Sequence, residues 1–237
     1  MKKLGKLLRR SWLEGAIDAY LEGKSDTGQE PSLIHASWLL GDVDVVFRRL
    51  LGLDEGRPPG ARLRRMFDDG LDVQRRYIRY FREMGILDEP EGWNEEKGIR
   101  VVDLEYGIVG HIDCRIRDPE GLVVPVELKA YAGELFKKYR NRPRLEHYHQ
   151  LQMYIYLDNA PYGYLLPENK NNQEINPVKV LRDEIMISTA LAKAVAVWNK
   201  VIEELSYERP EFRTVPDGLR SRLDSLRRAA RSRHGTP

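Results

Sequence analysis

The sequence predicts an α/β chain, and three observations carry that expectation. Residues 108–131 read IVGHIDCRIRDPEGLVVPVELKAY, two apolar-rich runs flanking the turn Asp118-Pro119-Glu120-Gly121, which is the pattern of a β-hairpin. Residues 62–84 and 183–205 place apolar side chains at three- and four-residue steps, the period of a helix. Shorter apolar runs in GIRVVDLEYG, YGYLLPENK and NPVKVLRD supply further strands.

The chain has 237 residues, which fits one domain with extensions. The expected division is a helical N-terminal region over 1–60, a core over 61–206 and a basic extension over 207–237. Charged residues make up 32% of the chain, yet the net charge is only +2, so overall charge predicts no polyanion partner and its distribution decides. Cys114 is the single cysteine, so the sequence offers no intrachain disulfide and no multi-cysteine zinc or iron–sulfur site. A reducing, cytoplasmic setting is expected. No apolar run in the sequence reads as a membrane span, and the N-terminus interleaves charges with leucines, unlike a signal peptide. No membrane partner is expected.

In chain order, residues 2–22 read as an amphipathic helix with Leu4, Leu8 and Trp12 near one stripe. Lys2, Lys3, Lys6, Arg9 and Arg10 make its start basic. Ser37 is placed to cap a helix running through Trp38, Leu39, Val43, Val46, Phe47 and Leu50. In the helix over 62–84, Phe67, Leu71, Gln74, Ile78 and Phe81 share a face, with Gln74 the polar member of an apolar stripe. Such a glutamine needs a polar partner inside, from backbone or from a site. Residues 135–144, LFKKYRNRPR, read as a basic linker around Tyr139. Lys137, Lys138, Arg140, Arg142 and Arg144 suit a nucleic-acid backbone and Tyr139 a stacked base; a solvated loop is the rival reading. A helix over 144–157 stacks His147, Gln150 and Tyr154 on one face. The helix over 183–205 reads as packing. Positions 218–237 are arginine-rich, a candidate phosphate contact or a basic tail.

The hairpin carries the chemistry. Asp113 lies on its first strand, and Glu127 and Lys129 lie on the second, two residues apart and so on one face. Two carboxylates can hold a divalent cation, and an adjacent ammonium can stabilise charge on a phosphoryl group or orient a water. Phosphodiester hydrolysis with a metal is the chemistry this trio suits. The arrangement depends on register. A four-residue turn over 118–121 sets Asp113 opposite Val126, whereas the site needs a five-residue loop or a bulge, next to Pro125. By alternation Ile108, Gly110, Ile112, Cys114 and Ile116 form one face and His111, Asp113 and Arg115 the other. The rival for Glu127 and Lys129 is an ordinary ion pair on an edge strand.

GHID at 110–113, VELK at 126–129 and QLQMY at 150–154 together resemble the PD-(D/E)xK nuclease superfamily in its RecB-like branch, over roughly positions 33–165. The resemblance implies a restriction-endonuclease-like core, a mixed central sheet flanked by helices, and hydrolysis of DNA with Mg2+ or Mn2+. By it, Asp113, Glu127 and the carbonyl of Leu128 hold metal, and Lys129 activates the water. Gln150 and Tyr154 organise the site, and His147 matches a histidine often found three positions before that glutamine. Many relatives place a metal-binding histidine four residues after a glycine; here Gln74 follows Gly70, a poorer ligand for manganese. Without further cysteines no iron–sulfur cluster is implied, which points towards phage-type exonucleases acting on single- or double-stranded DNA ends in recombination, repair or replication. The setting is then a cytoplasm, that of the host for a phage protein. Two alternatives stay open: a non-catalytic DNA-binding or scaffolding member of the same fold, and a structure-selective endonuclease.

Overall fold

In a computed structural model the chain is described over residues 12–23, 33–53, 59–91, 93–95, 97–140 and 142–206. The basic starts and ends foreseen at Lys2 to Arg10 and over 218–237 lie outside the described residues. The elements are α1 (Trp12–Glu22), β1 (Ile34–His35), a 3-10 turn (Ala36–Trp38), α2 (Val43–Leu50), α3 (Ala61–Glu83), β2 (Leu87–Asp88) and β3 (Ile99–Asp103). They continue with β4 (Ile108–Ile112), β5 (Cys114–Arg117), β6 (Val123–Tyr131), α4 (Gly133–Tyr139), α5 (Leu145–Leu157), β7 (Tyr162–Asn169), β8 (Val178–Leu181) and α6 (Glu184–Ser206).

Five strands form a mixed sheet in the order β2-β5-β6-β7-β8, with β6 and β7 parallel and the other pairs antiparallel. A smaller sheet runs β1-β4-β3. Helix α3 covers one face of the five-stranded sheet: Val73, Tyr77 and Ile78 pack with Cys114, Val126, Leu128 and Leu166. Helix α5 covers the other, where Leu151, Met153, Tyr154 and Ile155 join Leu165, Ile108 and Ile112 in the larger core. Helices α2 and α6 close that core with Val46, Phe47, Leu50, Ala190, Ala194, Val197, Trp198 and Val201. This is the expected mixed sheet flanked by helices.

Four local expectations change. First, β4 and β5 are not one strand: the chain leaves the small sheet at Ile112 and enters the large one at Cys114, with Asp113 between them. The alternation is reset there, so Ile112 faces the core under α5 while Cys114 faces the one under α3. Second, residues 37–50 are not one helix. The 3-10 turn closes with Gly41 N–H donating to the Trp38 carbonyl (2.8 Å), and Asp42 is extended before α2 starts. Ser37 Oγ meets His35 Nδ1 (2.9 Å) instead of capping. Third, the supposed linker begins as helix α4. Ala132 accepts from Phe136 N–H (2.9 Å), Asn171 Oδ1 accepts from Gly133 N–H (3.1 Å), and buried Phe136 anchors the turn. Fourth, the buried face of α3 is Val73, Tyr77 and Ile78, whereas Phe67 is 54% exposed. The amphipathic stripe runs past the end of the sheet it covers.

By length and composition Glu184–Glu204 in α6 could cross a membrane, contrary to the reading of the sequence. Its Ile187, Ala190, Ala194, Val197, Trp198 and Val201 are buried, so it packs as a core helix here. Asp183 Oδ1 caps it, accepting from Ile185 N–H (3.1 Å) and Met186 N–H (3.0 Å).

Candidate active site

The hairpin has the register that the chemistry needs. Arg117 pairs with Val123 and Cys114 with Val126, so the loop is five residues, 118–122, and the same register carried one step beyond β5 brings Asp113 to Glu127. Asp118 sets that loop. Its Oδ1 accepts from Glu120 N–H (2.9 Å) and Leu122 N–H (2.8 Å), its backbone N–H donates to the Leu122 carbonyl (2.9 Å), and Gly121 takes φ +85. The Tyr162 hydroxyl donates to the other oxygen and holds the Asp118 carboxyl below its usual range.

Asp113 stands where the ladder beside β6 ends. Its Oδ2 accepts from Leu128 N–H (2.7 Å), occupying the place that a neighbouring strand would take. Glu127 is fully buried on the face turned to α5, and neither of its oxygens has an aligned hydrogen-bond donor among the described residues. The Lys129 ammonium forms an ion pair with Oε1. Burial is the main influence on both acids. It raises Asp113 against the pull of Lys129 and the Leu128 amide. Burial and then the charge of Asp113 push Glu127 up to about 8, with Lys129 opposing. Burial disfavours the Lys129 ammonium, but Glu127 and Asp113 outweigh it and hold the lysine above its ordinary value. With both acids ionised, two carboxylates would face one ammonium, a buried deficit of positive charge. A buried ion lacking a full set of partners is costly, and a hard dication is the group that such oxygens fit.

Helix α5 closes the pocket. Gln150 Nε2 donates to the Tyr154 hydroxyl (2.8 Å), and burial, then Glu127 and Asp113, keep that phenol protonated. Tyr154 can lie this close because residue 110 is glycine: a Cβ there would sit 2.8 Å from the Tyr154 ring and 3.1 Å from Leu157. Arg115 Nε donates to Asp158 Oδ2 (3.0 Å), fixing the end of α5 to the hairpin. His147 lies over Tyr131, the rings 5.6 Å apart and 13° from parallel, with Nδ1 hydrogen-bonded to the Tyr131 hydroxyl. Burial, then Lys129 and Arg144, push His147 down to about 3, so it is neutral.

The basic segment is largely paired. Lys137 meets Glu134 (3.3 Å), Arg140 meets Glu174 (2.9 Å) and Arg144 meets Glu146 (3.2 Å), while Arg142 is exposed. Tyr139 carries Lys138 Nζ at 5.2 Å and Arg144 Cζ at 5.6 Å from its ring centre. Half-buried Gln74 has its Nε2 donating to the Glu95 carbonyl (3.2 Å) in the loop before β3, a backbone partner of the kind its place in an apolar stripe calls for.

Three residues escaped the sequence reading, two of them at this site and one, Glu168, on the sheet face under α3. Tyr131 follows Glu127 and Lys129 on the same strand face, so period-two alternation was a signal for it. Gly110 looked like one more small apolar residue. Glu168 on β7 is buried and accepts from Tyr77 (2.6 Å) and Arg76, 91 and 92 residues earlier, and no local pattern announces it.

No family model matches the chain, and no curated protein sequence does. Solved structures do. An alkaline exonuclease, LHK-Exo from Laribacter hongkongensis, is similar with a TM-score of 0.51 at 13% identity, over 92% of this chain and 98% of that one. The same enzyme in complex with dAMP gives 0.53 at the same identity and coverage. SSO0001 gives 0.50 at 19% identity, over 78% of this chain and 84% of that one. At such identities the likeness speaks for architecture: the chain has the mixed α/β fold of an exonuclease.

Proposed function

We propose that the protein is a metal-dependent nuclease that hydrolyses DNA phosphodiester bonds, a RecB-like, phage-type exonuclease of cytoplasmic recombination, repair or replication. The observation that carries this reading is Glu127: a fully buried carboxyl beside Asp113, with the Lys129 ammonium on Oε1 and no donor to Oε2 among the described residues. Asp113, Glu127 and the Leu128 carbonyl would hold Mg2+ or Mn2+. Gln74, its amide nitrogen bonded to Glu95, would offer only its carbonyl oxygen. When bound, the ion supplies Lewis acidity that activates water and neutralises charge on the phosphoryl oxygens. Lys129 presents a fixed cation where negative charge accumulates. The Gln150–Tyr154 pair keeps a protonated phenol against the acids and excludes bulk water from that side. Lys137, Lys138, Arg140, Arg142 and Arg144 would follow the DNA backbone. Because several are already paired with acids, they would act by exchanging partners.

LHK-Exo has been solved in complex with dAMP, which supports a nucleic-acid ligand for a chain of this fold. The rival is a binding member of the same fold, which the tethered Gln74 favours. End-labelled single- and double-stranded DNA, with each metal and with chelator, separates the two. The parent should cut with Mg2+ or Mn2+ and stop with chelator. Asp113→Asn should not cut, and Lys129→Ala should lose about 100- to 1,000-fold in rate while remaining folded. Lys129→Ala cutting at the parental rate, or the parent shifting DNA in a gel without cutting it, would end the nuclease reading.

A further inference from the structure

Tyr131 is the third residue on the β6 face that carries Glu127 and Lys129, and it is buried. Its ring is covered on one side by His147, 5.6 Å away and nearly parallel, and is packed against Tyr139 at 6.2 Å. Its hydroxyl is bonded to His147 Nδ1. The strand, α4 and α5 thus meet at one phenol.

The bond has a chemical consequence. A neutral imidazole carries one proton on its two nitrogens, and the partner of one nitrogen decides where that proton lies. The groups around His147 are Lys129, Arg144, Glu146 and the Tyr131 phenol. Two nearby cations and burial disfavour an imidazolium there. The phenol is itself held protonated, pushed up to about 12 by burial, so it keeps a proton to give to Nδ1; the reverse tautomer would make its oxygen the acceptor. A phenol that donates to Nδ1 leaves the single imidazole proton on Nε2.

We propose that Tyr131 is a positioning residue that fixes His147 as the neutral Nε2–H tautomer, presenting one uncharged donor to a phosphate oxygen of the DNA strand beside the metal site. The proposal rests on the nuclease reading for its ligand, and on the stacked, bonded Tyr131–His147 pair for its geometry. A neutral donor suits this place. Lys129 already supplies the cation, and a second fixed charge would compete with the metal for the carboxylates. A neutral N–H can instead orient the strand without opposing the ion. Half-buried His147 lies within electrostatic reach of Lys129 of the site and of Arg144 of the basic segment.

The test has an arm that does not need catalysis. Nitrogen-15 imidazole spectra of the full chain should show His147 with its proton on Nε2, and Tyr131→Phe should turn that signal into a mixture of tautomers. A parental signal with the proton on Nδ1, or an unchanged signal in Tyr131→Phe, would overturn the proposal whether or not the protein cuts DNA. The second arm is kinetic, with Mn2+ and end-labelled DNA. Tyr131→Phe should lower cleavage about tenfold. His147→Gln, which keeps a neutral N–H near the Nε2 position, should retain more activity than His147→Ala. In the His147→Gln background Tyr131→Phe should cost little further, because an amide has no tautomer to fix. The same tenfold loss in that background would show Tyr131 acting independently of His147. A parent that cuts nothing with either metal removes the nuclease reading, and the spectra still decide the tautomer.

Discussion

At Glu127 the structure holds a carboxyl that cannot be comfortably ionised alone. Burial and the neighbouring Asp113 push it up to about 8, so near neutral pH the metal-free protein keeps a proton there. A dication must displace that proton, and metal affinity then depends on pH. Mn2+ affinity measured by calorimetry should rise between pH 6 and 8, approaching tenfold per unit where one proton is released. Repeating the titration in buffers of different ionisation enthalpy counts the protons, and a flat profile would mean that Glu127 is not a ligand. Much of this was legible in the sequence, because alternation alone puts Glu127 and Lys129 on one face. The depth of burial was not: it comes from α5, whose Tyr154 approaches only because Gly110 leaves the room.

Between elements, the decisive quantity is a loop length. The five residues from Asp118 to Leu122 carry the register that brings Asp113 to Glu127, and a slip of one residue would set it against Val126, whose side chain lies on the other face of the sheet. Deleting Glu120 should therefore abolish metal-dependent cleavage and any metal-induced rise in melting temperature, while circular dichroism still reports a folded α/β protein. Retained cleavage would mean that the site tolerates the other register. The need for this offset was readable from the polar faces of the two runs, but its cause was not. Asp118 works through Tyr162, 44 residues later, and that partnership exists only once β7 lies beside β6. The misread faces have a similar origin. Periodicity locates an amphipathic stripe but not the edge of the sheet that covers it, so Phe67 looked internal and is half in water.

Across the whole molecule, two cores are separated by the large sheet, and the larger one holds a histidine with no catalytic part. His149 is buried, and its Nδ1 has no hydrogen-bond partner among the described residues. Burial, then Lys193, pushes it down to about 4. The unfolded chain takes up this proton near the ordinary value of about 6.5, before the folded one does. Stability is therefore lost as pH falls from about 6.5 to about 4, and the contribution levels off below. Urea unfolding at a series of pH values should show that decline, and His149→Gln should lessen it, leaving the share that His147, pushed down to about 3, contributes over the same range; an equal slope in the variant would assign the acid limb to other groups. A row of apolar and polar letters made this helix legible, but not that His149 and Gln152, rather than His147 and Gln150, would be the polar residues shut away from water.

The strand exchange at Asp113 leaves a seam in the hydrogen-bonded fabric, closed by one carboxylate that is also the candidate anchor for the ion. Whatever draws Asp113 towards a cation also tugs on the Leu128 amide it accepts from. That amide is thus a built-in gauge of occupancy: its exchange with deuterium should change when Mn2+ is added, and amides deep in α6 should serve as the unmoved reference. The two sheets are tied together at the same carboxylate that would hold the metal, so loading the site would also fasten one half of the molecule to the other.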